Sequence, residues 1–79
     1  MQTYQPGDYV KAEFKDERTQ ESEWMWVRVD SADDEKRVLF GRLDNEPVVF
    51  GDRVRVGQRL AISYDNVREH RKASEFVPN

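Results

Sequence analysis

With 79 residues the chain is bounded to one small domain, and a domain of this size buries only about 60% of its unfolded surface. It has no cysteine, which excludes disulfide staples, thiolate metal sites and a cysteine nucleophile. The net charge of −3 is unevenly spread: residues 1–35 hold ten acids against four bases, and residues 36–79 hold nine bases against six acids. Such a split fits ion pairing between strands, head-to-tail association, or a basic face meant for an anion.

Residues 2–6 offer neither a basic n-region nor an apolar h-region, so no signal peptide is expected. No apolar run approaches the roughly 20 residues that span a bilayer. A cytoplasmic location is the expectation. Residues 1–6 and 73–79 read as flexible ends of a single domain 1–79, with Phe76 and Val77 available to anchor the tail.

Residues 4–8 read as a turn, in which Pro6 presets φ and Gly7 tolerates positive φ. A strand follows at 9–15. Val10, Ala12 and Phe14 face one way and Tyr9, Lys11, Glu13 and Lys15 the other, the alternation of an antiparallel sheet with one wet side. Residues 16–22 are polar and read as a loop. The next strand, 24–30, is the most informative stretch. Met25, Val27 and Val29 share one face; Trp24, Trp26 and Arg28 share the other. Two apolar faces require that a second part of the chain, a second copy or a ligand meet the tryptophans.

Residues 31–36 form a hydrophilic turn, so a hairpin returns through 37–43, with Val38 and Phe40 assigned to the core. Gly41 inside that strand marks a bulge or a close backbone approach. A second turn at 44–47 precedes the short apolar run 48–50. Residues 53–56 alternate again, with Val54 and Val56 inward, and 59–64 form a last clear strand with Leu60, Ile62 and Tyr64 on one face. Asp65 and Asn66 can cap a short helix or 3₁₀ turn over 67–72, and a strand is the alternative there.

Few residues carry the chemistry of a catalytic site. His70 is the single histidine, and its neighbours Arg68, Glu69, Arg71 and Lys72 are all charged, which places it on the surface. No serine lies in a nucleophile motif. Asp30, Asp33, Asp34 and Glu35 lack the spacing of a calcium loop. Residues 51–57 hold two glycines but no phosphate-loop pattern. No cofactor, no metal site, no small-molecule substrate and no enzymatic activity are expected.

Two features point to binding. Arg53, Arg55 and Arg59 are candidates for a basic patch, which with exposed aromatics suits single-stranded nucleic acid. The acidic balance, with a pI near 5.1, weighs against that partner. Trp24, Trp26 and Arg28 form a candidate recognition face, because Trp and Arg are enriched at binding hot spots. The competing assignment packs the tail or residues 67–72 over the rings.

Residues 7–16 and 21–29 resemble the bacterial family known as domain of unknown function 2314. Its pattern VK-x-x-F has counterparts in Val10, Lys11 and Phe14, and its E-x-MWV-x-V in Glu23, Met25, Trp26, Val27 and Val29. A strand ending in L-x-NEP matches Gly41, Leu43, Asn45, Glu46 and Pro47, and a glycine turn into a last strand matches Gly57, Leu60 and Ile62. The terminal I-x-D-W becomes residues 67–70, with His70 in place of Trp. The resemblance covers most of residues 7–70. It implies a small, stand-alone, mostly β bacterial domain and brings no catalytic site.

The expected fold is all-β: a five-stranded, SH3-like, partly open barrel with a short helix or 3₁₀ turn near its end. The expected core is Val10, Ala12, Phe14, Met25, Val27, Val29, Val38, Phe40, Val54, Val56, Leu60 and Ile62. The expected function is a non-enzymatic module that binds protein, a partner or a second copy of itself, through Trp24, Trp26, Arg28, Arg53 and Arg55. Single-stranded nucleic-acid binding is the alternative.

Overall fold

The computed structural model describes residues 3–73. In chain order it has β1 (Tyr9–Asp16), β2 (Glu21–Asp33), β3 (Val38–Leu43), β4 (Arg59–Ser63), a 3₁₀ turn (Tyr64–Asn66) and β5 (Val67–Arg71). The strands form one antiparallel sheet in the order β4-β3-β2-β1-β5. Its two ends, β4 and β5, do not pair with each other, so the sheet stays open. A four-stranded meander, a 3₁₀ turn and a last strand returning beside β1 are compatible with an SH3-like arrangement. The expected anchors Phe76 and Val77 lie outside the described residues.

The first turn forms as its residues dictate. Asp8 N–H donates to the Gln5 carbonyl at 3.0 Å, with Pro6 and Gly7 between them and Gly7 at φ 91°. That is the pattern of a type II turn, which asks for Pro then Gly. The turn also continues the β1–β2 ladder: Gly7 N–H donates to Val29 O and Val29 N–H to Asp8 O, both at 2.8 Å.

The core lies on one face of the sheet. Val10 and Ala12 from β1, Met25, Val27 and Val29 from β2, and Ile62 from β4 are buried, as their alternation requires. Leu39 and Leu43 from β3 join them, together with Tyr4, Ala32, Phe50 and Tyr64. Phe14, Val54, Leu60 and Val67 pack at its margin.

Three expectations are corrected. On β3 the inward residues are Leu39 and Leu43, not Val38 and Phe40. Leu43 lies opposite Val27, Gly41 opposite Val29 and Leu39 opposite Ala32, all on the buried face. The rejected face carries Arg42, and burying an unpaired guanidinium is far costlier than exposing Val38. Asp30 supports this register as a bulge: it has no partner between the Val29–Gly41 and Ser31–Phe40 pairs, which turns Ala32 inward.

The second correction is that residues 53–56 are not a strand. Arg53 and Val54 N–H both donate to the Phe50 carbonyl, at 2.9 and 3.0 Å, so the chain turns there and leaves Val56 50% exposed. The fifth strand is β5 instead, over much of the segment 67–72. The third is His70, which is half-buried and not on the open surface. Its pairing with Val10 turns it to the inner side of β5, where its ring packs edge-on against Tyr4 with centroids 4.7 Å apart.

Gly41 is a close approach, as its place in a strand implied. A Cβ there would stand 2.3 Å from the Arg28 carbonyl oxygen and 2.7 Å from Val27 Cγ1.

Candidate functional site

The outer face of the sheet is built by the residues that alternate with the core. β1 contributes Tyr9, Lys11 and Glu13, and β2 contributes Trp24, Trp26 and Arg28. Trp24 is 54% exposed. Trp26 is half-buried, and the Lys11 ammonium opposite it sits 5.6 Å from its ring centre, a cation–π contact. β5 adds to the sheet beside β1 and does not pack over either ring. The expected division of the Trp24–Arg28 strand between two faces is what the structure has.

The ladder register aligns a row that the sequence does not display. Arg59 of β4 lies opposite Arg42 of β3, Arg42 opposite Arg28 of β2, Arg28 opposite Tyr9 of β1, and Tyr9 opposite Arg71 of β5. Four guanidiniums thus share one line across the five strands. Arg42 holds the exposed Asp30 at 3.4 Å and Arg71 holds Glu69 at 2.9 Å. Arg28 and Arg59 make no ion pair among the described residues. A shallow depression of about 460 Å³ beside the row is lined by Pro6, Gly7, Arg28, Val29, Asp30 and Arg42.

The other expected basic residues separate from this face. Arg53 is spent on structure: it reaches Asp16 at 3.1 Å, Glu21 at 2.8 Å and Asp52 at 3.3 Å, and lies over the Phe50 ring. It ties the 50–54 turn to the turn end of the β1–β2 hairpin. Arg55 lies in the exposed turn that follows, where its N–H donates to Gln58 Oε1. Only Arg59, of the three, belongs to the row.

Two inward acids hold the fold. Glu23 accepts N–H bonds from Val48 and Val49 at 2.8 Å and from Phe50 at 3.1 Å. Burial pushes its carboxyl up, but the three N–H groups outweigh burial and hold it below the usual carboxylate range. Asp8, only 3% exposed, accepts from Gln5 N–H at 3.0 Å, from Ala73 N–H at 2.9 Å and from His70 Nε2 at 2.8 Å. There too burial raises and the hydrogen bonds together win, so the carboxyl is held low. An ionised carboxylate only accepts, which assigns the Nε2 proton to His70.

The acidic run of the β2–β3 turn is likewise occupied. Asp33 Oδ1 accepts Lys36 N–H at 3.1 Å. Asp34 accepts the Tyr64 hydroxyl and Thr3 N–H. Burial first, and then that bond to Asp34, push the Tyr64 phenol up to about 12. No group of three or more His, Cys, Asp or Glu among the described residues is placed to hold a metal ion. No helix among them is long and apolar enough to cross a membrane.

The family model for uncharacterized proteins conserved in bacteria, DUF2314, matches residues 3–75. The chain belongs to DUF2314. No curated protein and no solved structure matches it. The residues that carry the DUF2314 likeness have structural work in this fold. Glu23 of the E-x-MWV-x-V motif pins residues 48–50, which follow directly on the L-x-NEP motif. Asn45 of L-x-NEP accepts the Trp26 N–H of E-x-MWV-x-V through its Oδ1. The two motifs are therefore one staple, and His70, in the place of the terminal Trp, keeps an aromatic ring against Tyr4.

Proposed function

We propose that this chain is a non-enzymatic module that binds protein, a partner or a second copy of itself, through the outer face of its sheet. The observation that carries this reading is the exposure of Trp24, at 54%, in a face that also presents Trp26 and Arg28. A large ring left in water on a sheet whose other side holds the whole core contributes little to folding. It is the kind of group that dominates interface energetics. Single-stranded nucleic acid would use the same face. The net charge of −3 disfavours it, because affinity for a phosphate backbone rests on charge.

Light scattering over a range of concentrations, followed by pull-down with wild type and Trp24→Ala, tests the reading. The expected result is self-association or retention of a protein by the wild type, lost in Trp24→Ala with an unchanged thermal midpoint. A strict monomer whose retained proteins are the same for both would overturn it.

A further inference from the structure

Like charges directly opposite on adjacent strands disfavour pairing, and here Arg59, Arg42 and Arg28 stand in succession. Adjacent strands lie roughly 5 Å apart, so Arg59 and Arg28 are about 10 Å apart at their backbones. Asp30 reaches one of the three, Arg42, and leaves the outer two unpaired among the described residues. Trp26 lies two residues along β2 from Arg28, about 7 Å away on the same face.

Resting on the protein-binding reading above, we infer that this face takes an extended acidic segment of a partner protein. Carboxylates of the segment lie over Arg28 and Arg59, and a neighbouring apolar side chain lies on Trp26 and Trp24. Charge complementarity is the first support: the planar guanidinium fork suits bidentate contact with a carboxylate. The second is that the row already takes this ligand chemistry, with Asp30 on Arg42 and Glu69 on Arg71. The third is extent. Side chains on one side of an extended segment repeat every 7 Å or so, so two or three carboxylates span the row. A long polyphosphate would run on past it into a chain that is acidic as a whole. The shallow depression lined by Pro6, Gly7, Arg28, Val29, Asp30 and Arg42, in which Asp30 is turned to Arg42, gives the segment a seat.

The test is fluorescence anisotropy with the full chain. The probes are a labelled peptide with glutamates at alternate positions followed by leucine, its lysine counterpart, and a labelled oligothymidylate. The expected result is binding of the glutamate peptide, weakened by added salt and by more than about tenfold in the double variant Arg28→Glu, Arg59→Glu. Lys36→Glu, an equal kind of charge change at the exposed hairpin turn, should leave affinity within about twofold. Tighter binding of oligothymidylate would make nucleic acid the occupant and overturn the inference, as would equal binding of the lysine peptide or none of any peptide. Peptide binding lost in Trp24→Ala but kept in the arginine variant would overturn the acidic assignment while the protein-binding reading stood.

Discussion

Glu23 and Asp8 show how a single carboxylate turned into the apolar side of the sheet becomes a fixing point. Glu23 shares the parity of Met25 and Val27, so it enters the apolar side and must find donors there. It finds the N–H groups of Val48, Val49 and Phe50. Glu23→Gln should cost about 2 kcal/mol in urea unfolding, because the amide supplies one acceptor oxygen for three donors. Both acids titrate lower in the folded chain than in the unfolded one, so what they contribute is complete above the ordinary carboxylate pKa of about 4. That contribution is lost as pH falls through the lower, folded values. The unfolding midpoint should therefore hold steady from neutral pH to about 5 and drop below about 4, less steeply in Glu23→Gln. Gly41 is the second critical position. Gly41→Ala would drive a methyl into the Arg28 carbonyl and should cost about 3 kcal/mol or abolish folding, readable by calorimetry.

At the scale of elements, the strands legible in the sequence were those whose alternation ran unbroken. β1 and the apolar half of β2 stand where their parity put them. β3 presented two apolar faces, Val38 with Phe40 and Leu39 with Leu43, and propensity could not choose between them. The charge of Arg42 on the first face was the available signal, and register enforced it. Residues 53–56 alternate as a strand would, yet they sit in a turn where Arg53 is held by two carboxylates from elsewhere, Asp16 and Glu21. Such long-range pairing leaves no local trace. β5 reads as a charged run, and what anchors it is Asp8, which joins Gln5, His70 and Ala73 across the first turn and the last strand. Asp8→Asn should loosen β5 locally. Its amides should exchange about tenfold faster relative to those of β2, which hydrogen exchange read by nuclear magnetic resonance would resolve.

The whole molecule divides its labour between two sides of one open sheet, and the candidate site was legible only in part for that reason. Trp24, Trp26 and Arg28 could be placed together from parity within one strand. The line from Arg59 through Arg42 to Arg28 depends on the registers of two further pairings, one of them shifted by the Asp30 bulge. The division makes a prediction that separates stability from binding. Met25 is fully buried, and Met25→Ala should cost about 2–5 kcal/mol, since it leaves a cavity in a domain with little core to lose. Its neighbour Trp24 loses far more surface on truncation, yet Trp24→Ala should stay within about 0.5 kcal/mol of wild type, because the ring is already in water. Urea titration of the two variants side by side checks this. Equal losses would mean that Trp24 is part of the core, and the outer face would lose its strongest claim to be a surface for a partner.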